Sequence, residues 1–149
     1  MTVRWLVASL HLVALALGGA AIFARARFIG RARKPSDLPP VFLADNLWAV
    51  AAILWLGTGL WRAFGGLEKG TAYYLGSPLF HAKLGLFIIV VLLEIRPALT
   101  LIKWRRAPNG DAPVDQRAAL RIRDISNLQF FIVLAMVFLA TAMARGLSS

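Results

Sequence analysis

The chain has 149 residues, 59% of them hydrophobic and 16% charged, with 17 Lys and Arg against 7 Asp and Glu. Ordinary soluble domains are about 45–50% apolar and about 25% charged, so a soluble chain this short has too little interior for so much apolar surface. The lack of cysteine excludes disulfides, thiolate metal sites and thiol catalysis, and the +10 charge lies in short segments between apolar runs, which argues for anionic lipid and against nucleic acid as the partner.

Residues 5–24 carry no formal charge and are long enough to cross a bilayer's hydrocarbon core. A cleaved signal peptide is the competing reading, with Gly18-Gly19-Ala20-Ala21 as the cleavage site. The length of the run and the Arg25-Ala26-Arg27 flank favour a span. Ala14 and Gly18 form a small-xxx-small pair that admits a close helix neighbour, and His11 lies on the same stripe.

Residues 25–41 read as a basic loop in which Pro35, Pro39 and Pro40 break helix. Residues 42–61 form the second span, with Asp45 and Asn46 read as its cap. Trp48, Trp55 and Arg62 share one face at seven-residue spacing, and the tryptophans read as packing. Residues 62–78 are a Gly-rich loop with Glu68 and Lys69, and Tyr73 and Tyr74 suit the headgroup level.

Residues 79–102 are the third span, entered at Pro78 and interrupted by Glu94, Arg96 and Pro97, where a kink is expected. Residues 103–124 form a second basic loop with a short surface helix over Val114 to Arg123. Residues 125–144 are the fourth span, with Ser126, Asn127 and Gln129 in its first turns. The predicted fold is all-α, an antiparallel four-helix transmembrane bundle forming a single domain. Eleven basic residues lie in the two loops on one side. The positive-inside rule therefore predicts a multi-pass protein of the bacterial inner membrane with both termini periplasmic.

Placed by depth, the polar residues fall into two groups. His11, Arg62, His81 and Lys83 gather near the termini side, with Tyr73 and Tyr74 above. Two imidazoles on different helices of a bundle are a way to hold heme iron, so His11 and His81 are the candidate metal ligands. Lys83 and Arg62 are candidate partners of heme propionates or of an anionic substrate. The competing reading is that His11 hydrogen-bonds a neighbouring helix and His81 sits among headgroups. The second group is Asp45, Asn46, Glu94, Arg96, Asn127 and Gln129. Glu94 within a span needs a partner, and Arg123, Asn127 and Gln129 are the candidates. The network reads as a helix lock or as a proton or ion relay.

These residues resemble the bacterial four-helix predicted membrane proteins catalogued as domain of unknown function 2214. The resemblance runs over most of the chain. It is carried by His11-Leu12 with Gly18-Gly19, by Phe23 to Arg27, by Ala44-Asp45-Asn46-Leu47-Trp48, by Gly59 to Gly70 and by Phe80-His81-Ala82-Lys83-Leu84-Gly85-Leu86. It implies the fold and orientation. A weaker similarity reaches the membrane protoporphyrinogen oxidases of heme synthesis, through His11 and His81-Ala82-Lys83-Leu84. Here Phe80 stands where that family tends to have tryptophan. A second reaches the copper-resistance membrane proteins, through His11 and Gly18-Gly19. The first implies a heme b bundle and, if the chain is an enzyme, a membrane oxidoreductase with a membrane or periplasmic redox partner. The second implies copper handling. A scaffold subunit without cofactor and a homo-oligomer complete the set of expectations.

Overall fold

Proline, glycine and short polar side chains decide where the helices begin and end. Helix α1 (Thr2–Arg31) runs to a 3-10 turn at Pro35–Asp37. Pro39 and Pro40 then start α2 (Pro39–Phe64) instead of blocking it, because the first turn of a helix has no use for their missing N–H groups. Gly65 ends α2, and Gly66 follows at φ 69°, a conformation that side chains with a Cβ resist. A short helix α3 (Thr71–Gly76) leads to Ser77, whose Oγ accepts from the Phe80 N–H at 3.4 Å and caps α4 (Pro78–Arg106). Asp115 caps α5 (Gln116–Ala144) through the Arg117 and Ala118 N–H groups at 2.9 and 3.2 Å. The computed structural model describes residues 2–66, 71–107 and 113–145. Glu68 and Lys69, and the side chains of Tyr73 and Tyr74, lie outside what it describes.

Each helix exceeds its expected span. The expected surface helix over Val114 to Arg123 is instead the first turns of α5. α4 continues as helix through Pro97, whose ring is buried. Among the described residues four helices are long and apolar enough to cross a membrane. At 1.5 Å per residue they are about 39–45 Å long, against about 30 Å of hydrocarbon. Large apolar side chains such as Ile53, Trp5 and Phe138 are 71%, 68% and 74% exposed, the surface that lipid covers.

α1 packs on α2 and α5, and α5 packs on α4, whereas the α2 and α4 backbones stay farther apart and meet through side chains such as Trp55 with Phe87 and Asp45 with Arg105. The order around the bundle is therefore α2, α1, α5, α4, with a loose seam between the first and last. α1 and α2 approach closely because Ala14, Gly18 and Ala21 present little bulk, and the Trp48 ring lies against Gly18. One apolar cluster, with Ala14, Ile22, Trp48, Trp55, Val90 and Met136, fills the middle. A second, with Ile29, Val41, Leu101 and Ile122, fills the end where the arginines crowd. The start of α1 and the ends of α2 and α5 lie at the opposite end, called here the termini end.

The connection between α1 and α2 is shaped by Asp37, whose Oδ2 accepts from the Arg33 and Lys34 N–H groups at 2.9 and 3.1 Å. Those bonds favour the carboxylate and hold its pKa below the usual aspartate value. A carboxylate depressed in the folded state stabilises the turn above the ordinary aspartate range and loses that contribution as pH falls through its folded pKa. Asp37 is therefore expected to titrate below the ordinary aspartate range, and Asp37→Asn to abolish the acid transition of the neighbouring amides, read by NMR in detergent.

Candidate functional site

The arginine end is organised by Arg25. Along α1 the positions His11, Ala14, Gly18, Ala21 and Arg25 recur at alternate steps of three and four, so Arg25 continues the stripe that faces the interior. Its side chain is 0% exposed. All five N–H donors of the guanidinium are used. Nε donates to Ser126 Oγ at 3.0 Å, and Nη1 donates to Asp45 Oδ1 at 2.8 Å and to Glu94 Oε1 at 2.6 Å. Nη2 donates to Glu94 Oε2 and to Gln129 Oε1, both at 2.9 Å. One side chain thus joins α1 to α2, α4 and α5.

The remaining valences are filled with equal economy. Gln129 Nε2 donates to Glu94 Oε2 at 2.8 Å and to the Val90 carbonyl at 3.1 Å. Ser126 Oγ donates to the Ile122 carbonyl at 2.8 Å. Arg105 Nη2 donates to Asp45 Oδ2 at 2.8 Å and to the Phe42 carbonyl at 3.2 Å, with its guanidinium over the Phe42 ring. Two guanidinium and two carboxylate groups leave the cluster formally neutral. Among the described residues no buried side-chain nitrogen or oxygen lacks a partner. That completeness is what a buried charge requires.

Several expectations for this cluster change. Arg25 is an interior helical residue and not part of a loop. Asp45 is no cap, because α2 begins at Pro39 and Asp45 lies in its second turn. Asn46 and Asn127 are exposed and stand outside the network. Arg123 is not the partner of Glu94; it pairs with its neighbour Asp124 at 2.9 Å. Gln129 is a partner of Glu94, as expected, and Arg96 is not.

At the other end, His11 is buried, and both ring nitrogens are engaged by α2. Nε2 accepts from Trp55 Nε1–H at 3.0 Å. Nδ1 lies 2.9 Å from Thr58 Oγ1, and that hydroxyl donates to the Leu54 carbonyl at 2.6 Å. An Nε2 that accepts requires the proton on Nδ1, so the neutral ring donates to Thr58. The Cε1 edge of the ring lies against Gly59, where a Cβ would lie 3.2 Å from it.

Beside this imidazole a cavity of about 90 Å³ opens between α2 and α4. Its walls include Trp55, Gly59, Phe80, Phe87 and Met136, and its polar lining comes from His11 and Lys83. Lys83 makes no hydrogen bond or ion pair among the described residues. Arg62 lies in the last turn of α2, seven residues beyond Trp55 and so on the same side of that helix. His81 is not brought into this site. Phe80, Lys83, Leu84 and Phe87 share the face toward the cavity, which turns His81 away. His81 is exposed, and its Nδ1–H lies 2.9 Å from the Ser77 carbonyl of its own helix start.

A shared heme iron does not fit this arrangement. Two axial imidazoles must stand about 4 Å apart, given Fe–N bonds near 2 Å. His81 does not line the cavity, and Trp55 occupies the only lone pair of His11. Nor is there a polar path between the two groups. Fourteen residues of α1 separate His11 from Arg25, about 21 Å, and the middle apolar cluster fills that interval. Among the described residues no three His, Cys, Asp or Glu side chains gather as a metal site would need.

The family model described as "Predicted membrane protein (DUF2214)" matches residues 3–148. No curated protein and no solved structure matches the chain.

Proposed function

We propose a ligand-binding role for this chain, which belongs to the DUF2214 family of predicted membrane proteins. Its cavity at the termini end takes the acidic head of an amphipathic anion drawn from the adjoining leaflet. The observation that carries this reading is Lys83, a cation that lines an apolar cavity and has no counter-ion within the described residues. A charged amine in such surroundings is expensive until an anion joins it, and the low local dielectric strengthens the pair that forms. A volume of about 90 Å³ is well above the roughly 10–15 Å³ that holds one water, which leaves room for a carboxylate or phosphate head. The apolar remainder would leave along the loose seam between α2 and α4. His11 forms the floor, locked by Trp55 and Thr58, and holds α1 against α2.

Heme b is a narrower member of the same class, because it carries two carboxylates. On that reading Lys83 would hold a propionate, bound heme would supply the redox chemistry, and a membrane or periplasmic partner would exchange electrons with it. Iron ligation by His11 would additionally require Trp55 to release Nε2. Copper handling draws no comparable support, since the imidazole lone pair of His11 is taken and His81 is elsewhere. The charge asymmetry supports an orientation with the arginine end in the cytoplasm and the cavity beneath the periplasmic leaflet of a bacterial inner membrane.

The test is titration of the full chain in mild detergent with palmitate and, separately, with hemin. Tryptophan emission reports the first ligand and the Soret band the second. Binding of palmitate that Lys83→Met weakens by tenfold or more, the effect of losing one charge-assisted contact at about 1.5–3 kcal/mol, is the expected result. A Soret band with the same Lys83 dependence adds the heme form. No binding of either ligand, or binding indifferent to Lys83→Met, overturns the proposal.

A further inference from the structure

A second site lies at the other end of the bundle, on the seam between α4 and α5 near the arginine end. A groove of about 290 Å³ runs there between Arg96, Leu99 and Thr100 of α4 and Arg121, Ile122 and Ile125 of α5. It shares no residue with the Lys83 cavity and meets the Arg25 cluster only at Ile122, whose backbone carbonyl accepts from Ser126 Oγ. Both arginines are exposed, and neither guanidinium makes a hydrogen bond or ion pair among the described residues. Besides the helix's own backbone bonds, the Arg96 carbonyl accepts from Thr100 Oγ1 at 2.9 Å.

The depth of Arg96 makes this costly. It lies ten residues before the end of α4 at Arg106, about 15 Å along the helix axis. With α4 about 44 Å long and hydrocarbon about 30 Å thick, the Arg96 backbone falls inside the apolar layer. A lipid-facing arginine at that depth is tolerated when its side chain reaches toward the interface and an anion meets it. Arg121 approaches the same groove from the first turns of α5. Lys103, seven residues beyond Arg96, continues its stripe, and Arg117, four residues before Arg121, continues the other. The groove floor between these two basic rows is apolar.

We infer that this groove is a binding site for an anionic glycerophospholipid. Arg96 and Arg121 hold its phosphate from two sides, and an acyl chain lies against Leu99, Ile122 and Ile125. The match is one of charge and shape together: paired guanidinium groups at headgroup depth above an apolar cleft that faces lipid. A free phosphate has no means of occupying the apolar part of the groove, which is why the occupant is a lipid.

The full chain, purified in mild detergent, is offered equimolar phosphatidylglycerol and phosphatidylcholine, and bound lipid is counted by native mass spectrometry. The expected result is retention of phosphatidylglycerol over phosphatidylcholine, and a loss of about tenfold in that preference for Arg96→Gln and again for Arg121→Gln, one charge-assisted contact each. Arg106→Gln, outside the groove, serves as the control and should change the preference by less than about twofold. Inorganic phosphate at 10 mM, roughly a physiological level at which exposed charges are only partly screened, should leave the bound lipid in place. Unfolding midpoints show whether each variant keeps the fold, and Arg121→Gln decides the matter if Arg96→Gln does not. Equal retention of both lipids, equal effects of all three substitutions, or displacement by inorganic phosphate overturns the inference.

Discussion

Arg25→Met is expected to remove about 3–5 kcal/mol of stability, the cost of leaving buried charge without its partner. The variant would strand Glu94 Oε1 and one Asp45 oxygen and leave Glu94 Oε2 with Gln129 alone, on side chains that are only 21% and 14% exposed. Unfolding of detergent-purified protein, followed by tryptophan emission against temperature, measures the loss. The double variant Arg25→Met with Glu94→Met should recover most of it, since an ion set replaced by apolar groups of similar volume is often neutral. Asp45 keeps Arg105 in that variant. A single variant within about 0.5 kcal/mol of the parent, the range of ordinary surface changes, would show that the cluster does not tie the helices together.

The second large effect is expected at Gly18. A Cβ built there already lies 3.1 Å from the Trp48 ring and 3.4 Å from Ala51. Gly18→Leu must therefore push α1 away from α2, at a cost of about 1–3 kcal/mol or more for overpacking. The separation would also strain the bonds from Trp55 and Thr58 to His11. Gly19→Leu provides the comparison. Nothing lies within 4 Å of a Cβ at Gly19, so a leucine there points into lipid and should cost under about 0.5 kcal/mol. Equal melting of the two variants would sink the claim that close approach at Gly18 sets the α1–α2 contact.

What the sequence makes legible follows from which forces it displays. Four apolar runs, the Ala14–Gly18 pair and the packing role of Trp48 are read directly, because lipid burial and small-residue contacts leave periodic marks. The need of Glu94 for a partner is also visible, and Gln129 is correctly among the candidates. Arg25 is missed because a formal charge is taken to end a span, and the neutralising carboxylates stand 20 and 69 residues away. The signal was present in the stripe from His11 through Ala14, Gly18 and Ala21, which reaches Arg25 without a break in period. Asp45 is misassigned for a related reason. The Pro39-Pro40 pair is read as a breaker, although proline in a first turn begins a helix, and a cap is then sought too late. The pairing of His11 with His81 rests on depth alone. Depth is silent on rotation, and the turn from His81 to Lys83 decides which of the two faces the cavity. The lock between His11, Trp55 and Thr58 has no local signature, since two aromatic side chains 44 residues apart give no pattern until α1 and α2 are docked.

The order of helices around the bundle bears on how the chain is made. Arg25 leaves the ribosome first, and its partners follow in sequence: Asp45, then Glu94, then Ser126 and Gln129. Asp45 alone can neutralise the arginine while α3 to α5 are still unsynthesised, so the α1–α2 hairpin is equipped to enter the bilayer as a charge-balanced pair. The last helix then has to find the first. Since α5 seats between α1 and α4, insertion is completed by a wedge and not by addition at an edge, and a nascent chain halted before Ser126 would hold its arginine with both carboxylates but without the two acceptors that α5 brings.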